Sequence, residues 1–273
     1  TLVMEGKNDL PYALFLPGFA CVAQYHGKLK GSVAESPAAA RAAAESFVRE
    51  DYLPALHQGA RLSVADKTRL AARMAELTGL GAGFIADHNL RITDQDFFFE
   101  LLRDQGKQVG RLEARVTAPM GARKTRSSEM DPGFDAIAGP YTMTCNAYLS
   151  QVLGVKTDQR YDVFCMETHE AWNWLQGKST GNHFTSTSAH LANAVRANPH
   201  LRVLVASGYY DLGTPYSASD YSLAQLDLAP EEFMRISHHY FEAGHMMYTR
   251  EADLKKLADD LAQWLDAGAA RGN

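Results

Sequence analysis

Cysteine is scarce in this chain, clusters of basic residues are missing, and no long apolar run occurs. The three cysteines, Cys21, Cys145 and Cys165, are odd in number, widely spaced and form no C-x-x-C pair. That excludes a disulfide framework and a zinc knuckle, and all three are expected as buried, unpaired thiols. No lysine- or arginine-rich block stands on a helix face, and the net charge is -5 with a pI near 6.0. Nucleic acid and anionic membranes are therefore not expected as partners. No apolar stretch approaches the roughly 18 residues that a spanning helix needs. Residues 1–9 carry neither a charged n-region nor an apolar h-region, so they do not read as a secretory signal. The segment also lacks an initiator methionine, and Thr1 is expected to be a processing or expression boundary. What is present is ordinary: a hydrophobic fraction of 46% with 10% aromatic residues fills a packed core. At 273 residues that core is expected as one large domain or a core with a sizeable insertion.

Residues 1–35 read as mixed, with Tyr12-Ala13-Leu14-Phe15-Leu16 ahead of Pro17-Gly18. Ser36-Pro37 supplies an N-cap and an N1 proline for an alanine-rich helix to about His57, stopped by Gly59. Ser63, with Asp66 three residues on, caps a helix whose Leu70, Met74 and Leu77 share a face, and Gly79 ends it. Thr93 opens a third helix through Phe97-Phe98-Phe99-Glu100-Leu101-Leu102, closed by Gly106. Residues 117–139 mix proline, glycine and charge and read as a long loop, followed by a helix over 142–153. Near residue 200 the period changes. Residues 201–206 are short, apolar and β-rich, as for a strand buried on both faces of a parallel sheet. A helix is expected over 217–226, a second strand over 233–241, and an amphipathic helix over 251–265 with Leu254, Leu257, Leu261, Trp264 and Leu265 on one stripe. Alternation of strand and helix is the repeat of an α/β fold. Two strands alone make no stable sheet, so a missing piece is expected.

Both strand candidates lead into a glycine-bearing turn with a titratable residue. Ser207-Gly208-Tyr209-Tyr210-Asp211-Leu212-Gly213-Thr214-Pro215 follows the first, and Glu242-Ala243-Gly244-His245-Met246-Met247-Tyr248 the second. Active groups of open α/β sheets lie past the carboxyl ends of strands. An imidazole that takes and returns a proton needs a carboxylate on its other nitrogen, which fixes the tautomer and stabilises the imidazolium. Acid then base, on successive strand ends, is the order that follows the nucleophile in α/β-hydrolases. Asp211 and His245 are thus the candidate acid and base, expected within about 2.6–3.2 Å of each other. Taken singly, an Asp beside Gly and Pro is a turn former and a lone His near a strand end is structural. A literal Gly-x-Ser-x-Gly occurs at Gly177-Lys178-Ser179-Thr180-Gly181. It is rejected as the nucleophile because a buried strand must precede such an elbow, and Ser179 is expected beyond reach of His245. Gly177-Lys178-Ser179 ends like a phosphate loop, but Trp172 stands where the first glycine belongs. His169-Glu170 begins like a zinc-binding helix, but Asn173 replaces the second His. His238 and His239 are neighbours on a strand and point to opposite faces, so they cannot share a metal. Trp172, Trp174 and Phe184 fit a substrate pocket or, more commonly for such aromatics, the core. No cofactor or metal site is read.

The segment from Asn198 to Pro215 resembles the surroundings of the catalytic acid in serine carboxypeptidases, and Glu242-Ala243-Gly244-His245-Met246-Met247-Tyr248 is similar to those of that family's catalytic histidine. Asp9-Leu10-Pro11-Tyr12-Ala13-Leu14-Phe15-Leu16-Pro17, Ala23-Gln24-Tyr25-His26-Gly27-Lys28-Leu29 and the helical block to about residue 150 look like the bacterial branch. The resemblance implies the C-terminal part of an α/β-hydrolase sheet, residues 1–20 and 156–273, with a mostly helical cap inserted over residues 21–155. It further implies a secreted or periplasmic setting. Tyr248 departs from the proline many members carry. The larger departure is the absence of the family's Gly-x-Ser-Tyr-Gly elbow and its glycine-rich oxyanion segment, both expected upstream of Thr1.

The activity implied is hydrolysis of a C-terminal peptide bond by a Ser-Asp-His triad, of which this chain supplies Asp211 and His245. The expected partners are a peptide or small acyl substrate and the N-terminal segment carrying the serine. Two alternatives stand beside it. One is another acyl hydrolase on the same fold, an esterase or aminopeptidase. The other is a non-catalytic binding or assembly module that lacks the nucleophile.

Overall fold

The computed structural model describes residues 4, 8–121, 131–159, 161–173 and 186–269. Within them the chain is mixed α/β, dominated by helix, with two small two-stranded sheets. Among the described residues no helix is long and apolar enough to cross a membrane.

The first element corrects the reading of residues 1–35 as mixed. Helix α1 (Leu10–Tyr25) runs straight through Pro17 and Gly18, and its residues 13–23 are buried without a break. An interior proline costs a helix about 3 kcal/mol. Burying Phe15, Leu16 and Phe19 outweighs that, since each large apolar side chain contributes about 1.5–3 kcal/mol. Helix α2 (Pro37–Phe47) begins where the cap pattern places it, Ser36 Oγ accepting the Ala39 N–H at 3.1 Å. It continues through a π-helical turn into α3 (Leu53–Gln58), and Gly59 stops it at φ +55°. Ser63 Oγ accepts the Asp66 N–H at 3.0 Å to start α4 (Val64–Thr78), whose Leu70, Met74 and Leu77 are buried. After α5 (Ala82–Asp87), Thr93 and Asp96 form a reciprocal capping box at the head of α6 (Asp94–Glu100). Phe97 stacks on Phe19 of α1 with ring centroids 4.1 Å apart.

Residues 107–119 contain an antiparallel hairpin that the sequence pattern does not reveal, β1 (Lys107–Val109) with β2 (Thr117–Pro119). Each strand is too short for a period to show. The long loop expected over 117–139 is also interrupted at its far end, because α7 (Pro132–Ala147) starts at Pro132 rather than near residue 142. Proline at the first helical position loses no hydrogen bond, and Asp131 caps the helix by accepting the Phe134 N–H at 3.0 Å. Short helices α8 (Met166–Ala171) and α9 (Ser188–Ala197) lead to the second sheet.

There β3 (Val203–Gly208) pairs in parallel with β4 (Ile236–Phe241), Val203 opposite Ile236 and Gly208 opposite Phe241. Helices α10 (Tyr216–Ala224) and α11 (Pro230–Phe233) connect them, and α12 (Glu251–Ala269) closes the described chain. His238 pairs with Asp220 of α10 and His239 with Asp260 of α12, so the two helices cover opposite faces of the sheet. β3 was expected to be buried on both faces. Instead Val203, Leu204 and Val205 are half-buried and Ala206 is exposed, because β4 is the one neighbour among the described residues. The stripe on α12 is likewise uncovered at Leu254, Leu261 and Leu265, while Leu257 packs against Phe241, Ala243 and Met247. The boundary drawn between residues 20 and 21 falls inside α1. One apolar cluster holds α1, α2, α4 and α6 together with Tyr210 and Leu212 from the β3 turn.

Glycine is required where β3 ends. A Cβ on Gly208 would lie 2.2 Å from the carbonyl oxygens of both Ala243 and Gly244, whereas one on Gly83 in α5 would meet nothing within 4 Å. Gly208→Ala is expected to cost at least about 1–3 kcal/mol, and Gly83→Ala to be neutral or to stabilise by about 0.5–1 kcal/mol. Thermal unfolding followed by circular dichroism separates the two.

Candidate active site

Asp211 and His245 meet at the carboxyl ends of the two parallel strands. Beyond β3 the chain stays zipped to the β4 side, the Tyr209 N–H donating to Phe241 O at 3.0 Å and the Tyr210 N–H to Ala243 O at 3.0 Å. The turn that follows wraps its own backbone around the Asp211 carboxylate. Oδ1 accepts the N–H groups of Gly213 at 2.8 Å and Thr214 at 2.9 Å. Oδ2 accepts the Thr214 hydroxyl at 2.6 Å and faces His245 Nδ1 at 2.9 Å. The bland reading of Asp211 as a turn former and its pairing with His245 are therefore both realised, one by each oxygen. Thr214 was not singled out by sequence reasoning. An Asp followed at the third position by Thr is the signal that could have found it, since that spacing lets both Thr donors reach back.

An ionised carboxylate only accepts, so Nδ1 of His245 carries the proton and Nε2 is left as the acceptor. Thr214 Oγ1, 3.2 Å from Nδ1, shares that N–H. The acid is buried, its side chain 5% exposed, while the imidazole is 45% exposed. Among the described residues no hydrogen bond occupies Nε2, which is the nitrogen a general base uses. Burial opposes ionisation of Asp211, but the hydrogen bonds from His245 and Thr214 outweigh it and hold the carboxyl below its ordinary value. The same hydrogen bond, donated by His245 to Asp211, raises His245 above the usual imidazole value, against partial burial and the nearby Arg111 guanidinium.

The other sequence candidates separate. Ser179, Trp174 and Phe184 lie outside the described residues. Trp172 is exposed at the end of α8 rather than in the core, lining a shallow depression with Glu167 and Ala171. Cys21 is buried and its thiol is pushed up to about 12 by that burial, whereas Cys145 and Cys165, expected to be buried, are partly exposed. All three are free thiols. Among the described residues no group of three or more His, Cys, Asp or Glu side chains is placed to hold a metal.

A second Asp-His-Ser arrangement escaped the sequence reading. His238 Nδ1 lies 2.8 Å from Asp220 Oδ1, and Nε2 lies 2.9 Å from Ser207 Oγ. Tyr240 also donates to Asp220, at 2.6 Å. The distances match those of a triad, but the serine is not accessible. Ser207 sits within β3 and is 7% exposed, so an acyl carbon cannot approach its hydroxyl. This network satisfies polar groups between the sheet and α10.

In the native protein His245 is expected to titrate above 6.5, the ordinary imidazole value. Asp211→Ala removes the main cause and leaves burial unopposed, so the midpoint should fall below that value. Histidine ring resonances followed by NMR against pH check this. No family model matches the chain, and it has no match among the curated proteins or the solved structures compared with it.

Proposed function

We propose that this chain supplies the acid and base of a serine-type carboxypeptidase, Asp211 and His245, on the C-terminal part of an α/β-hydrolase sheet with a helical cap. The observation that carries the proposal is the buried Asp211 carboxylate 2.9 Å from a half-exposed His245 imidazole, at the ends of adjacent parallel strands. The nucleophilic serine would come from a segment preceding Thr1. One feature supports a further strand beside β3: Val203, Leu204 and Val205 are half-buried and Ala206 is exposed.

The chemistry follows from the tautomer. His245 Nε2 accepts the serine proton as Oγ attacks the carbonyl carbon of the last peptide bond. The imidazolium, held by Asp211, then passes that proton to the leaving amine, and the bond to nitrogen breaks. Water, deprotonated by the same Nε2, releases the acyl chain and restores the serine. The base works only when Nε2 is unprotonated. Because Asp211 raises the His245 midpoint, kcat/KM is expected to climb with pH through a midpoint above the ordinary imidazole value.

The test uses the full gene product and N-blocked peptides, with release of the C-terminal amino acid as the readout. His245→Ala and Asp211→Asn should each lower kcat by about 10³–10⁴-fold or more. Ester hydrolysis without release of C-terminal residues would replace the peptidase reading with an esterase. Residues 1–273 alone should take no label from a serine-reactive fluorophosphonate. Labelling of that shorter chain would place the nucleophile inside it, with Ser179 the first residue to mutate.

A further inference from the structure

Residues 242–246 are themselves neither helix nor strand, and the hairpin loop anchors their backbone. The loop of the β1–β2 hairpin, closed where the Gly110 N–H donates to Val116 O at 2.9 Å, lies between the acid turn and the base turn. It binds the acid turn through Leu212 N–H to Arg111 O at 2.9 Å and Ala114 N–H to Tyr210 O at 3.1 Å. It binds the base turn through the His245 N–H to Leu112 O at 2.7 Å. Side chains join this backbone clasp. Glu113 Oε2 accepts the Gly244 N–H at 3.0 Å, directly before His245.

Glu113 is itself held in place. Arg115 grips it with two hydrogen bonds, Nε to Oε1 at 2.8 Å and Nη2 to Oε2 at 2.6 Å, and both side chains are less than 20% exposed, at 19% and 15%. The third arm of Arg115 donates to Glu242 O at 2.7 Å, at the other end of the same turn. The guanidinium also lies over the Tyr210 ring, 4.6 Å from its centroid. The Glu113–Arg115 pair therefore brackets residues 242–244 while adding no net charge beside the imidazole. The fit is close, since a Cβ on Gly244 would stand 2.2 Å from Leu112 O and 2.8 Å from the Glu113 Cα.

We infer that Glu113 is a positioning residue that sets the His245 ring against Asp211, with Arg115 fixing the Glu113 carboxylate. This rests on the reading of His245 as the general base. A base displaced by about 1 Å loses on the order of 10²-fold in rate, so a clasp on the turn is worth as much as a group touching substrate.

The experiment compares Glu113→Ala, Glu113→Gln and Arg115→Lys in the full gene product, measuring the His245 midpoint by NMR and kcat and KM on a peptide. Glu113→Ala should bring the His245 midpoint down toward the ordinary imidazole value and lower kcat about 10–10²-fold, with KM little changed. Glu113→Gln keeps an oxygen for the Gly244 N–H and should retain most of both properties. Arg115→Lys, which keeps the charge but loses the fork, should shift the midpoint in the same direction by less. It decides the matter where Glu113→Ala does not fold. A purely structural role would lower the melting temperature and leave the His245 midpoint of the folded variants where it was, and that result overturns the inference. If the unaltered protein hydrolyses nothing, the reading as a peptidase falls, while the NMR midpoint still reports whether Glu113 sets the ring.

Discussion

Three backbones meet where side chains leave almost no room, and the Asp211–His245 hydrogen bond depends on that meeting. Gly208 ends β3 against the carbonyls of Ala243 and Gly244, and Gly244 in turn lies against Leu112 O. Any Cβ at either position would push the acid turn, the base turn and the hairpin loop apart. Their close approach lets the Tyr210 N–H, the Ala114 N–H and the His245 N–H all find carbonyl partners on a neighbouring segment. Backbone groups that would otherwise be buried without partners are thus satisfied between loops, in place of a regular ladder.

The electrostatics follow from the same packing. Burying a carboxylate is costly unless its charge is met by donors, and Asp211 has two backbone N–H groups, a hydroxyl and an imidazole. Those donors win over burial. The imidazole gains from the bargain and stays open to solvent on its far side. Around His238 an Asp and a Ser flank the imidazole at hydrogen-bond distance, yet that serine is buried. The two histidines differ in access: His245 is half-exposed, whereas Ser207 beside His238 is buried.

The helical half matters to the site through α1. Its apolar surface is covered by α2, α4 and α6 on several sides and by Leu212 of the acid turn on another. Gly18 brings the helix within contact of that leucine, a Cβ there lying 3.2 Å from Leu212 Cδ2. The hairpin that carries Glu113 follows α6 after a single 3-10 turn, and Val109 and Ala114 of the hairpin join the same apolar cluster as Tyr210 and Leu212.

Caps, stops and periods were legible in the sequence because they are local. Ser36, Ser63, Thr93, Gly59 and Gly79 act within a few residues, and each marks an element where the pattern places it. The pairing of Asp211 with His245 was legible too, since strand order and turn position are written in the chain. Residues 10–25 were misread because burial on all sides overrides the breaking tendency of Pro17 and Gly18, and burial is a tertiary quantity. The start of α7 was misread because Pro132 punctuates a loop and begins a helix with equal ease. Thr214, Glu113 and Arg115 stayed hidden for a different reason. Glu113 lies 131 residues from Gly244 in sequence, and nothing local marks a carboxylate for a backbone N–H that distant. Which acid and imidazole stand in the two turns was decided by the sequence; which surroundings hold them in register was decided only when the hairpin loop folded between those turns.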